Sequence, residues 1–266
     1  GFREVGRSCI LVETPSTKIL MDCGVTISGN KDKAYPHLEV IRFPLSELDA
    51  VIISHAHSDH SVFVPYLFKM GYRGPVYCTT PTRDLSALLA FDNIRVGARN
   101  ENEAPFSEKD VKEMVKYCIP RDYDEVTDIA PDMRLTLYDA CHILGSSSVH
   151  LNIGQGMHNL LYTADMKFGF TRLFNNLNPT YPRMETMILE STYGGKDDNV
   201  PPRPEAEEML LKIINETLEK NASVLIPVFA VGRGQEMQLT LEEFYRRGLL
   251  HECKIYIDGM TREASA

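Results

Sequence analysis

Ser54-His55-Ala56-His57-Ser58-Asp59-His60 follows directly on the apolar run Ala50-Val51-Ile52-Ile53. Three imidazoles and a carboxylate fall within six residues, from position 55 to position 60. Side chains alternate across a strand, so they cannot all point one way while the strand continues. A tight loop at its end can turn several of them towards one point. Neutral imidazole is the commonest ligand for borderline divalent metals, and a carboxylate adds charge neutralisation. The chain has only eight histidines, and three are spent here. That concentration favours a metal-binding loop over an ordinary solvated one.

Outward from this stretch the first part of the chain reads as β-rich. Ser8–Glu13 and Lys18–Asp22 are strand candidates around the turn Pro15-Ser16-Thr17, and together they predict a hairpin. Asp49–Ser54 reads as a short strand covered on both faces, and Gly29–Lys33 as a polar loop. A helix is predicted over Val62–Lys69 and stops near Gly71. Val76–Cys78 is another strand, Pro81 opens a helix, and Ser107 caps a further one. Arg134–Tyr138, Val149–Ile153, Asn159–Thr163 and Met187–Leu189 complete an α/β pattern with a mixed sheet layered against helices.

The texture changes at Gly194–Pro204, which holds a Gly-Gly pair and three prolines. Beyond it a helix over Pro204–Lys220 is predicted to turn Met209, Leu210, Ile213, Ile214 and Leu218 to one face. The strand Val224–Phe229, a helix over Gly234–Arg247 and the strand Lys254–Asp258 then read as a parallel βαβ unit.

The chain has 266 residues, 43% of them hydrophobic and 24% charged, as in globular proteins. No apolar run is long enough to span a bilayer, and no secretory leader is visible. Six scattered cysteines without a C-x-x-C pair read as reduced thiols of a cytoplasmic protein. A net charge of −9 argues against a general nucleic-acid coat. It leaves a nuclease open, because metal ions bring their own positive charge to a phosphate.

Four more polar residues end predicted strands: Asp22, His142, Asp165 and Glu190. Sites in layered α/β proteins gather at strand ends, so the set carries more weight than its members. Asp22, the His55-x-His57-x-Asp59-His60 run, His142 and Asp165 stand in the order of the first four motifs of the metallo-β-lactamase superfamily, which this chain resembles. Leu189–Gly194, Ala140–Ser146 and Phe229–Glu236 are similar to its nucleic-acid-processing β-CASP branch. The likeness is to archaeal homologues of the endonuclease subunit of the cleavage and polyadenylation specificity factor.

The resemblance implies an αββα sandwich over residues 1–195 and the beginning of a parallel α/β β-CASP domain over 204–266. It implies two zinc ions. His55, His57 and His142 would hold one, Asp59 and His60 the other, and Asp165 would bridge them. Asp22 would orient ligands through hydrogen bonds, Asp59 and Asp22 would serve catalysis, and Glu190 would relay a proton. The implied activity is endonucleolytic cleavage of single-stranded RNA by a metal-activated hydroxide, as in RNA 3′-end processing. A 5′-to-3′ exoribonuclease and a catalytically incomplete fragment are the alternatives.

Further histidines are expected after residue 266, RNA-binding KH domains before residue 1, and a homodimer formed through later segments. Three residues depart from the family pattern. Val62 and Ala164 stand where Gly is usual, and Met166 follows Asp165. A β-branched residue at position 62 is expected to crowd the helix behind the second metal. Gly232-Arg233-Gly234 reads as a tight turn that sets Arg233 against RNA, Arg172, Arg183 and Arg203 as a solvated face, and Met209 and Met237 as core. His251 reads as a surface turn residue.

Overall fold

The computed structural model describes residues 4–26, 34–100, 103–177 and 180–266. The polar loop expected at 29–33 lies outside them. The described residues form two compact units. Unit 1 is Gly1–Phe168 with Leu177–Glu190, and unit 2 is Gly169–Asn176 with Ser191–Ala266.

Unit 1 is a sandwich of two five-stranded sheets. The first holds β1 (Ile10–Glu13), β2 (Lys18–Met21), β3 (Ala50–Ile52), β4 (Val76–Cys78) and β5 (Cys118–Pro120) in that order. β1 and β2 form the predicted antiparallel hairpin, and the remaining pairs are parallel. The second sheet runs β10 (Thr186–Ile188), β9 (His158–Tyr162), β8 (Ser147–Ile153), β7 (Met133–Asp139), β6 (Thr127–Ala130). It is antiparallel except where β10 joins β9.

Alternation builds the core. Ile19, Met21, Ala50 and Ile52 of the first sheet meet Leu135, Leu137, Val149, Leu151, Leu160 and Tyr162 of the second. Leu20 and Val51 point the other way and are also fully buried, so the central strands of the first sheet are covered on both faces. The sheets are tied at one edge by Asp132. Its carboxylate accepts from Thr14 Oγ1 at 2.7 Å, Ser16 Oγ at 2.8 Å and Thr17 Oγ1, all in the β1–β2 turn.

Helices α1 (Ser58–Ser61), α2 (Val64–Lys69), α3 (Thr80–Arg99) and α4 (Glu108–Tyr117) link the strands. The helix predicted over Val62–Lys69 forms as α2, and α1 is an unpredicted turn of helix ahead of it. Val62 ends α1 with helical backbone angles and is fully buried, so it packs into the core where crowding was expected. Ser107 and Asp110 form a reciprocal capping box on α4. No helix among the described residues is long and apolar enough to cross a membrane.

Unit 2 holds α5 (Arg203–Leu218), α6 (Arg233–Arg246) and α7 (Met260–Ala264). Ile214 meets Leu241, Phe244 and Leu250, with Leu210, Leu218 and Met237 around them. Met209 and Ile213, expected on this face, are instead exposed. The predicted strands at 224–229 and 254–258 form no ladder, and Leu225 and Tyr256 are exposed. A lone pair of parallel strands gains too little packing to define itself, even where the apolar pattern is present. Arg172 and Arg203 are not a solvated face. Arg172 pairs with Glu207 at 2.6 Å and with Glu243, and Arg203 with Glu207 at 2.8 Å and with Glu236. Arg183 lies exposed in unit 1, paired with Glu185.

Candidate metal centre

Each expected ligand is brought to the site by the end of a strand. His55 follows β3, and His57 precedes α1, whose first turn carries Asp59 and His60. His142 follows β7, and Asp165 follows β9. At three of these ends, Asp22, Cys141 and Ala164, a non-glycine residue takes a left-handed backbone with φ of 57°, 54° and 49°. Such a residue reverses the chain, and each is disfavoured by about 1–2 kcal/mol. Hydrogen bonds hold the turns. Asp22 N donates to Ile52 O at 2.8 Å, Cys141 N to Asp139 Oδ1 at 2.8 Å, and Lys167 N to Ala140 O at 3.0 Å. The glycine usual at position 164 is thus explained by φ, and this chain keeps the turn with alanine.

The result is a cluster. His55, His57, His142 and Asp165 offer ligand atoms that all lie within 4.8 Å of one another. His57 Nδ1 and His142 Nε2 are 3.1 Å apart. Asp165 turns Oδ2 to His142 Nε2 (3.7 Å) and His55 Nε2 (3.9 Å), and Oδ1 to His60 Nε2 (3.4 Å). Asp59 Oδ2 stands 3.6 Å from the same His60 nitrogen.

Asp22 organises the cluster from beneath. It is fully buried and accepts from Ser54 N (2.7 Å), Ser54 Oγ (2.8 Å), His60 Nδ1 (2.8 Å) and Tyr162 OH (2.9 Å). Ser54 Oγ, committed as donor to Asp22, accepts from His55 Nδ1 at 3.1 Å. Both histidines therefore carry their neutral-state proton on Nδ1 and aim the Nε2 lone pair at Asp165. Carboxylate-backed imidazoles of this kind are the usual surroundings of a metal. Ser54 and Tyr162 carry no sequence signal for this role, because their partner Asp22 is distant in the chain.

These residues fit a divalent cation. Among the described residues, His55 Nε2 is a buried nitrogen without a hydrogen-bond partner. An orphaned lone pair facing a carboxylate is unfavourable until a cation lies between them. Burial, with His60, His57 and His142 nearby, holds His55 well below the ordinary histidine range, in the neutral form that a ligand needs. Burial works against charge on His60 too, but Asp165 and Asp22 outweigh it and hold that imidazole well above the ordinary range. Burial likewise opposes charge on Asp165, and His60, His142 and His57 outweigh it to bring the carboxyl to about 2.

These shifts set a pH profile for the metal-free chain. His55, depressed, adds stability as pH rises towards the unfolded histidine value of about 6.5. His60, raised, contributes fully below that value, and its contribution is lost as pH rises through its folded pKa. Thermal stability is therefore expected to peak near pH 6.5, roughly where the two effects cross. Added zinc should flatten the alkaline limb by replacing the proton on His60. Melting curves at pH 5–9 with chelator and with zinc check this, and an alkaline limb that zinc leaves unchanged would contradict it.

The model of the metallo-β-lactamase superfamily matches residues 3–226. The chain belongs to that superfamily. Several relatives match it along its full length. Transcription termination factor FttA of Methanothermobacter thermautotrophicus is 54% identical over 267 residues. The proteins of the same name from Methanocaldococcus jannaschii and Thermococcus kodakarensis are 50% and 52% identical. Each match covers all of this chain and 42% of the relative, so the chain spans about two fifths of their length. A solved Cronobacter sakazakii metallo-β-lactamase with a HARLDQ motif aligns at a TM-score of 0.43 and 18% identity. That alignment covers 66% of this chain and 59% of that one.

The remaining candidates of this superfamily member lie outside the cluster. Glu190 follows β10, and its backbone N donates to Thr163 Oγ1 at 3.2 Å. Arg233, exposed, opens α6 in unit 2. His251 is exposed in unit 2, its backbone N bonded to Asn215 Oδ1 at 3.1 Å.

Proposed function

We propose that this chain carries the metal centre of a zinc-dependent ribonuclease that cuts single-stranded RNA internally. The observation that supports it most is Asp165, which turns one oxygen to His55 and His142 and the other to His60. A carboxylate so placed suits two cations. His55, His57 and His142 would hold one, Asp59 and His60 the second, with Asp165 shared. Two such ions, when bound, lower the pKa of a water and offset charge on the attacking and leaving oxygens of a phosphodiester.

The chain's own groups do the rest. Asp22 and Ser54 fix the imidazole tautomers, Asp59 and Asp165 keep the site anionic enough to retain cations, and Glu190 relays a proton to the leaving 3′ oxygen. RNA is the reading favoured for the substrate because the relatives are named transcription termination factors, and a hydrolase acting there meets the transcript.

The test is a circular single-stranded RNA given to the full-length protein, after chelation and again after zinc is restored. Zinc-dependent opening of the circle to a product with 5′-phosphate and 3′-hydroxyl ends is expected. Degradation of linear 5′-phosphorylated RNA with the circle intact would establish the exonuclease alternative. No cleavage of either RNA would refute the reading.

A further inference from the structure

We infer that Lys167 and Phe168 form a nucleotide subsite beside the metal centre, the ammonium facing a flanking phosphate and the ring stacking on its base. This deepens the ribonuclease reading and rests on it. Asp165-Met166-Lys167-Phe168 leaves β9 directly from a metal-cluster residue. Three residues of extended chain reach at most about 11 Å, so Phe168 lies within one or two nucleotides of the cluster.

The segment is held in place. Lys167 N donates to Ala140 O at 3.0 Å, which ties it to the turn that presents His142. The side chains, by contrast, are uncommitted. Phe168 is 56% exposed, and Leu144, two residues beyond His142, is 59% exposed. Lys167 is half-buried and has no ion-pair partner among the described residues.

Two apolar side chains and a cation left open beside an anionic cluster need an occupant. The net charge of −9 repels a polyanion from the chain as a whole, so a local cation is the place for phosphate to enter. An aromatic face next to a phosphate-binding ammonium is how single strands are gripped without sequence preference. A peptide without acidic groups would satisfy the apolar groups but would leave the ammonium without its anion. A duplex keeps its bases stacked on one another. A single RNA strand supplies both the base and the phosphate.

The experiment compares a labelled single-stranded RNA with the same strand carrying abasic riboses around the cut position. Both are bound to the full-length protein in an Asp59→Ala background to prevent cutting. The parent should prefer the base-bearing strand by about tenfold. Phe168→Ala should remove that preference and Phe168→Trp should keep it. Lys167→Gln should lower the salt slope of binding by about 0.7. Hydrolysis of a small phosphodiester such as bis(p-nitrophenyl) phosphate, measured with Asp59 intact, should be unchanged by Phe168→Ala, because it has no flanking base.

A Phe168→Ala protein that keeps the preference overturns the subsite and leaves the ribonuclease reading standing. RNA bound with the expected preference but never cut, in circle or line, sinks the ribonuclease reading and keeps the subsite. A parent that binds neither strand overturns both.

Discussion

Gly24→Ala is expected to break the metal corner of the fold, although it adds one methyl group. A Cβ at Gly24 would lie 1.8 Å from Asp59 C, 1.9 Å from Asp59 O and 2.3 Å from His60 N. All three are backbone atoms, so no side chain can rotate away. The close approach is built by hydrogen bonds on both sides of it. Cys23 N donates to His60 O at 2.8 Å, Val25 N to Ser58 O at 2.9 Å, and Ser8 N to Asp59 O at 2.9 Å. The methyl group would push the segment after β2 off the first turn of α1 and carry Asp59 and His60 with it. A loss of about 4 kcal/mol or more is expected, the size that marks a named structural lesion. Retention of added divalent metal should fall with it. Denaturant melts and metal analysis of the purified variant check this. A stability within about 1 kcal/mol of the parent would mean the two segments can separate without harm.

The second large effect is on activity. Asp59→Ala in the full-length protein is expected to lower RNA cleavage on the order of 10³-fold or more, because the proposed arrangement relies on its carboxylate to retain a second ion. The fold should survive. Asp59 contributes to packing through its carbonyl, which accepts from Ser8 N, and alanine retains that carbonyl. Its carboxylate instead stands 3.6 Å from His60 Nε2. The two substitutions thus separate backbone from side chain at one place in the structure. A folded Asp59→Ala protein that cuts RNA at the parent rate would rule out the metal arrangement proposed above.

Much of the site was legible in one dimension. His55, His57, Asp59 and His60 are close in the chain, and their chemistry is a property of residue type. Asp22, His142 and Asp165 could be found because each ends an apolar run, and such runs predict buried strands whose ends converge. The hairpin and eight of the ten strands of unit 1 follow from such apolar runs and alternation, whereas β5 and β6, short and only partly buried, were not read as strands.

Other features had no local signal. The relay from Asp22 through Ser54 to His55 crosses 32 residues, and Tyr162 reaches Asp22 across 140. Nothing local marks Gly24, whose constraint is the peptide of Asp59. Val62 was expected to crowd that helix, because a sequence pattern does not show that the side chain is taken fully into the core with helical backbone angles. In unit 2 the apolar runs at 224–229 and 254–258 read as strands, yet a strand is defined by hydrogen bonds to a neighbour, and these two form no ladder. Arg172 and Arg203 looked solvated because their glutamate partners lie up to 71 residues away.

The sequence by itself therefore determined which side chains can hold a metal and that they gather at strand ends, since ligand chemistry and hydrophobic periodicity are local. Only the tertiary structure decided how those side chains are aimed. The tautomers of His55 and His60, the two-sided placement of Asp165 and the contact of Gly24 with Asp59 all depend on atoms brought together from distant parts of the chain. Hydrogen bonds and steric exclusion act over a few ångströms of space, whatever the separation in sequence.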